Sequence, residues 1–357
     1  MVSATIDSGA LRHNLQRLRQ WAPRSRVMAV IKANAYGHGL VAVARALAET
    51  ADAFAVARVD EGLALRAAGI AAPTVLLEGV FDREQLDAAA AADFELVVHT
   101  AEQIELLRAA PAGARFKVWL KLDSGMNRLG FKEPAFGAAH AALSALRSVQ
   151  TPVNLFTHLS SADDPELATT SEQLARFDAA TRFLPGERSI ANSAGMLSFA
   201  AAQADWVRPG LLLYGVSPIA GTIGADYGLQ PVMTLRSHVI AVKELVSGEH
   251  VGYGGNWTAR RPTRLAVAAV GYGDGYPRSL GAGAPVLVNG ERAGLAGRVS
   301  MDMIGIDVTD LQRPPAPGDA VILWGEGLPV EEIAVWANTI PYELLCGISQ
   351  RVAATLS

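Results

Sequence analysis

The sequence predicts an N-terminal (β/α)8 barrel over residues 1–228, followed by a mostly β domain over residues 229–357. Three observations lead there. From residue 27 to about residue 210, short apolar runs alternate with longer helical segments. Those runs are apolar throughout, as parallel strands covered on both faces are. Beyond residue 227 the rhythm changes to apolar–polar alternation between turn signals, which marks strands with one wet face.

Taken in order, MVSATIDSGALRHNLQRLRQW reads as a short strand and then a polar, arginine-bearing helix. That strand can pack with either half. The barrel strands follow as VMAVI, AFAVA, TVLLE, FELVV, FKVWLKL, VNLFT, RSIAN and DWV. Between them GLVAVARALAE, DEGLALRAAG, DREQLDAAAA and TAEQIELLRAA read as helices. Several open on acidic or hydroxyl residues suited to a helix N-terminus. Eight such units point to a closed barrel, with an open doubly wound sheet as the alternative. VRPGLLLYGVSPIAGTIGADYG serves as a connector and sets the boundary near Leu229. In the second half, MTLRSHVIAVKELVSGEHVGYG, RLAVAAVGYG, APVLVNGERAGLAG, MIGIDVTD and DAVILWG supply strands. Asn289-Gly290 marks a hairpin, and VEEIAVWANTI is the one helical segment expected there.

Composition narrows the functional classes. The chain has 357 residues, a formal net charge of −4 and a single cysteine, Cys346. Mild acidity without a clustered basic surface argues against a nucleic-acid partner. One cysteine cannot form an internal disulfide, so no oxidising compartment is needed. The opening residues lack the apolar core of a signal peptide, and no later run is long enough to span a membrane. A soluble, cytoplasmic protein is expected.

In a (β/α)8 barrel, chemistry gathers at the C-terminal ends of the strands. The first barrel strand delivers Lys32 and then Tyr36 there, and the fifth is followed by KLDSGMNR, hence Lys121, Asp123 and Arg128. The sixth delivers His158, the seventh Asn192 and Ser193, the eighth Arg208 and Gly210. Any one of these alone reads as a solvated loop residue; the joint pattern at one rim does not. An amine desolvated there, near other cations, has a lowered pKa and can form a Schiff base. A hydroxyl and backbone N–H groups after the seventh and eighth strands suit a phosphate. An imine-forming lysine and a phosphate cradle on one rim together indicate pyridoxal phosphate.

AVIKANAYGHG resembles the cofactor-lysine signature of the alanine racemase family, pyridoxal-phosphate enzymes built from a (β/α)8 barrel and a β-domain. KLDSGMNRLGF, FTHLSSADD, ANSAG, VRPGLLLYG, VGYGGNW, VGYGDGYPR, GRVSMDM and PYELLCGIS each resemble a family segment, in the family's order. The resemblance implies that Lys32 holds the cofactor covalently. It implies that Tyr36, Tyr342, Ser193 and the N–H groups of Gly210 and Leu211 hold the phosphate, with Asn192 beside the serine. Arg208 would face the pyridine nitrogen, with His158 hydrogen-bonded behind it. Arg128 would engage the substrate carboxylate, with a backbone contact from Met301. Lys121 matches a lysine often carbamylated in the family, whose negative charge orients Arg128. Tyr253 would be supplied by the partner subunit of a homodimer, and Tyr272 is a candidate wall of the substrate entrance. No metal is implied.

Racemisation removes the α-proton from one face and returns one to the other, so one base on each face suffices. Lys32 would serve the face used by D-alanine and Tyr253 that used by L-alanine. A phenol at its usual pKa of about 10 is a weak base at neutral pH, so a tyrosine in that role needs cations beside it. A guanidinium does not give up its proton, so opposite Arg208 the pyridine nitrogen stays unprotonated, which limits transamination. Three alternatives compete. Lys121, His158 and Asp123 could serve a metal-dependent barrel hydrolase; the fold could be a non-catalytic pyridoxal-phosphate carrier; or the substrate could be serine or a broader set of amino acids. His38 lies inside the signature without a chemical role, and His99, His140, His238 and His250 fit no ligand spacing.

Overall fold

In the computed structural model, which describes residues 2–357, all eight apolar runs form the parallel strands of a closed barrel. The chain's first strand, β1, spans Ser3–Ile6. The barrel strands are then β2 (Arg26–Val30), β3 (Ala53–Val56), β4 (Thr74–Leu76), β5 (Phe94–Val98), β6 (Val118–Lys121), β7 (Asn154–Phe156), β8 (Arg188–Asn192) and β9 (Trp206–Arg208). Closure comes from β9 pairing back onto β2, with Arg26 opposite Trp206 and Val27 opposite Val207. The open-sheet alternative is thereby excluded. Apolar residues on both faces of each strand are covered, outside by helices and inside by one another. The helices start where the sequence provides caps. Asp82 accepts from Gln85 N at 2.8 Å, and Thr100 from Gln103 N at 3.4 Å.

Strand β1 joins the C-terminal sheet. It runs antiparallel to β10 (Met233–Leu245) and parallel to the last strand, Ala353–Leu356. Its alternating exposure suits a strand with one buried face, which a barrel interior does not offer. The helix that follows, Ser8–Trp21, turns Leu11, Leu15 and Leu18 inward. On the same face the buried Asn14 amide bonds Leu213 O and both backbone groups of Gln230. The chain thus begins in one half and is latched across the connector to the other.

The C-terminal sheet has eight strands, and β10 pairs at both ends of a five-strand run, closing six strands into a barrel-like ring. A register shift between Val239 and Ala241 lets β10 turn from one neighbour to the next. The expected hairpin is present: Asn289 and Gly290 adopt φ of 50° and 85° between Val288 and Glu291, which pair directly. The expectation of one helical segment needs correcting. Besides Val330–Ala337 there is a second helix, Pro341–Cys346, too short to show periodicity. No helix among the described residues is long and apolar enough to cross a membrane.

Candidate active site

Lys32 stands two residues past the end of β2, and the chain behind it turns the wrong way. Ala33, Asn34, Ala35 and Tyr36 all lie in the left-handed region, with φ of 52°, 54°, 54° and 52°. Such a conformation costs about 1–2 kcal/mol per non-glycine residue, so four in succession need fixed partners. Glu61 accepts the Ala33 N–H at 2.6 Å, and the Asn34 side chain accepts the Leu40 N–H at 2.9 Å. Gly37 follows at φ 79°, and a Cβ there would collide with the carbonyl of Leu345. The turn therefore lies directly against the short helix Pro341–Cys346, which carries Tyr342.

The Lys32 amine is mostly withdrawn from water. Burial lowers its pKa, and Arg128 lowers it further, while Glu78 and Glu61 pull it back up. Lys121, at the end of β6, is more deeply buried. Its pKa falls to about 8, chiefly by burial and then through Arg208, Arg128 and Lys32. No carboxylate among the described residues pairs with it: Asp123 instead meets Lys132 at 2.8 Å. Both lysines have thus been shifted toward the neutral amine, the nucleophilic and proton-accepting form.

Arg208, at the end of β9, is buried and held by acceptors alone. One nitrogen donates to Ser189 Oγ at 2.7 Å; the other donates to Thr157 O at 2.7 Å, Ile190 O at 3.1 Å and His158 Nδ1 at 3.3 Å. Its guanidinium lies 3.9 Å from the centre of the Phe156 ring. Because guanidinium only donates, His158 Nδ1 must be the unprotonated nitrogen. Burial and the cations Arg208, Lys121, Arg128 and Lys32 together hold His158 neutral, well below its usual range. Arginine, not carboxylate, is what this part of the rim presents.

Ser193 Oγ accepts from Gly210 N at 2.9 Å and Leu212 N at 3.4 Å, so the ends of β8 and β9 meet at one hydroxyl. Asn192 caps the turn after β8: its Oδ1 accepts from Gly195 N at 2.9 Å, and its Nδ2 donates to Leu159 O at 3.3 Å. Tyr36 leans over this corner. A Cβ at residue 210 would come within 3.0 Å of Tyr36 Cζ and nearer still to its hydroxyl, so glycine makes room for the phenol. The Tyr36 ring lies 5.0 Å from that of Tyr214 and 5.8 Å from that of Tyr342. Burial raises the Tyr36 phenol far above its usual value and the Tyr342 phenol to about 12, so both remain hydroxyl donors.

These contacts bring together Lys32, Tyr36, Lys121, Arg128, His158, Asn192, Ser193, Arg208, Gly210 and Tyr342; the second N–H on Ser193 comes from Leu212 and not from the expected Leu211. The remaining candidates lie elsewhere on the chain. Tyr253, Tyr272 and Met301 are 74%, 41% and 52% exposed, and no hydrogen bond or ring contact joins their side chains to the cluster among the described residues. The metal-hydrolase set is also not assembled. His158 Nδ1 is spent on Arg208 and Asp123 on Lys132, and no group of three or more His, Cys, Asp or Glu converges among the described residues. His99 is buried with Nε2 on Glu78 O at 3.0 Å, and His250 is exposed beside Thr258.

Sequence reasoning missed four supports. Glu61 is a helix residue 28 positions beyond the backbone it holds. Thr157 and Ser189 act through a carbonyl and a hydroxyl on Arg208. Tyr214 lay within VRPGLLLYG, yet only the fold reveals that it is fully buried and bonded to Val30 O at 3.0 Å. No local signal marks such residues, because each acts on a distant strand end.

Known proteins match this chain across both halves. The family model for the N-terminal domain of alanine racemase matches residues 6–218, and that for the C-terminal domain matches residues 232–356. The chain is 51% identical over 351 residues to an alanine racemase of Yersinia pestis, covering 98% of this chain and 97% of that protein. It is 51% identical over 352 residues to a biosynthetic alanine racemase of Shigella dysenteriae, covering 98% of each. Among solved structures, the biosynthetic alanine racemase from Pseudomonas aeruginosa superposes with a TM-score of 0.96 at 45% identity, covering 100% of this chain and 99% of that one. The alanine racemase from Acinetobacter baumannii superposes with a TM-score of 0.94 at 38% identity, with the same coverage. With both halves matched end to end, the chain belongs to the alanine racemase family and is an enzyme of the racemase class.

Proposed function

We propose that this protein interconverts L-alanine and D-alanine with pyridoxal phosphate as cofactor. The observation that carries the proposal is the pairing, on one rim, of a lysine amine of lowered pKa with a buried arginine that has no carboxylate partner among the described residues. The donor set fits the cofactor. Lys32 supplies the amine; Tyr36, Tyr342, Ser193 and the N–H groups of Gly210 and Leu211 supply neutral donors for a phosphate, with Asn192 bracing the turn beside them. Arg208 supplies a fixed positive edge for the ring nitrogen, held from behind by His158. When bound, pyridoxal phosphate withdraws electrons from the α-carbon and acidifies its C–H bond.

The protein's own part is to move that proton. Lys32, its pKa lowered by burial and Arg128, accepts or returns a proton at Nζ on one face of the substrate. Tyr253 from the partner subunit of a homodimer serves the other face through its phenol oxygen. Its high exposure on a single chain supports that assignment. Arg128 binds the substrate carboxylate with help from the Met301 backbone, and Tyr272 borders the entrance. Lys121 falls to about 8, with Asp123 paired to Lys132 instead, so a neutral fraction is available to take up carbon dioxide as a carbamate, which would orient Arg128. Residues 1–228 form the cofactor-binding domain in this proposal, and residues 229–357 supply the second base and dimer contacts. The enzyme works in the cytoplasm, supplying D-alanine for peptidoglycan or serving alanine catabolism.

The decisive experiment follows α-proton exchange in deuterated water for L- and D-alanine, serine and larger amino acids, with absorbance recorded alongside. A visible band bleached by borohydride, and exchange fastest for alanine, are expected. Absence of the band would overturn the cofactor assignment, and faster exchange with serine would overturn the substrate.

A further inference from the structure

His38 lies directly behind the left-handed turn. It is 1% exposed, and none of the roles above uses it. Its Nδ1 lies 3.0 Å from Ala35 O and 2.9 Å from Tyr36 O. Both partners are carbonyl oxygens, which only accept, so Nδ1 must carry the proton and Nε2 is the bare nitrogen. Nε2 indeed has no hydrogen-bond partner among the described residues. The tautomer is therefore dictated by the backbone.

These two carbonyls belong to the peptides on either side of Tyr36. A single N–H thus ties down both peptide planes that determine where the Tyr36 side chain leaves the backbone. The imidazole also stacks on Tyr214, with ring centres 4.3 Å apart and planes at 25°, and Tyr214 is the ring beside Tyr36. Glu61 holds the same turn from its other end, through Ala33 N. Between these two clamps, non-glycine residues keep a backbone that they rarely adopt.

We propose that His38 is a positioning residue whose Nδ1–H holds the left-handed turn in place, so that Tyr36 and Lys32 are presented to the cofactor. This rests on the assignment of Lys32 and Tyr36 to pyridoxal phosphate, and two variants separate the hydrogen bond from the packing. His38→Asn keeps an N–H on the atom that corresponds to Nδ1 but loses the ring. His38→Phe keeps the ring against Tyr214 but loses the donor.

Two measurements are made on the full-length protein. The first is amide hydrogen exchange over residues 33–39 without added cofactor. The second is the dissociation constant for pyridoxal 5'-phosphate, titrated by the lysine-bound absorbance band. For His38→Phe, faster exchange and about 10- to 100-fold weaker cofactor binding are expected, the scale of losing a buried donor to two acceptors. For His38→Asn, protection should persist and affinity should stay within about threefold. The reverse order, Phe retained and Asn lost, would assign His38 to packing and overturn the proposal, as would unchanged exchange in both. If exchange separates the variants as expected but the parent protein shows no borohydride-sensitive band, the clamp stands and the cofactor assignment fails. Should His38→Phe prove insoluble, His38→Leu, which keeps an apolar side chain against Tyr214 but has no donor, takes its place with the same expectation.

Discussion

Replacing Gly210 by alanine tests how tightly the cofactor corner is built. A Cβ at residue 210 would lie 3.0 Å from Tyr36 Cζ, with the phenol oxygen closer still. Ordinary carbon–carbon contact is about 3.5–4.0 Å, so the ring must retreat by about 0.5–1 Å. It has little freedom to do so, with Tyr214 at 5.0 Å on one side and Tyr342 at 5.8 Å on another. The backbone at Gly210 is not left-handed, so the added methyl strains the site through contact and not through φ. Overpacking of this kind costs about 1–3 kcal/mol. If the displacement falls mainly on the Tyr36 hydroxyl, it appears as cofactor affinity lowered by about 10- to 100-fold. Titration with pyridoxal phosphate measures this directly, and Gly281→Ala, where a Cβ meets nothing within 4 Å, is the control. Parent-like affinity in Gly210→Ala, with Tyr36→Phe also unimpaired, would show that the phenol does not hold the phosphate.

Other outcomes follow from the same geometry. Mixing inactive Lys32→Ala and Tyr253→Phe proteins should restore activity through heterodimers carrying one intact site; proven subunit exchange without recovery would place both bases in one chain. Arg208→Glu should raise transamination during turnover, detected as pyruvate release; it should also lower the melting temperature, because a buried carboxylate would face Thr157 O and Ile190 O. Unchanged transamination in a folded variant would refute the role given to Arg208. The pH dependence of stability has a definite sign. His38 is held down to about 4 against an unfolded value near 6.5, and His158 is lowered as well. The unfolded chain therefore binds more protons between these values, and stability present above about 6.5 is lost as pH falls toward 4, by of order 3 kcal/mol from His38. His38→Asn should flatten that limb of the thermal-stability profile; an unchanged limb would show that His38 does not titrate there.

Much of this protein could be read from local pattern. Each barrel strand is an uninterrupted apolar run, and period alone separates it from the alternating strands of the second half. Asn289-Gly290 fixed its hairpin because few residues accept a positive φ at both positions. Lys32 could be placed at the rim because strand direction dictates which end of a run faces the chemistry. The helix Pro341–Cys346 was not legible, since six residues cannot display a helical period, and with it went the intrachain contact of Tyr342 with Tyr36.

The sequence by itself determined which residues end each strand, and therefore which groups share the rim. Only the tertiary structure decided how they are held there. Ala33, Ala35 and Tyr36 have no intrinsic reason to turn left-handed; Glu61 and His38 impose it from outside the turn. The polar–apolar alternation of SATI suits a one-faced sheet, yet its partners were decided by pairing with β10 and with Ala353–Leu356 at the far end of the chain. Hydrophobic period is a property of neighbouring residues. Tautomer, pKa and backbone strain are set by whatever folding brings alongside.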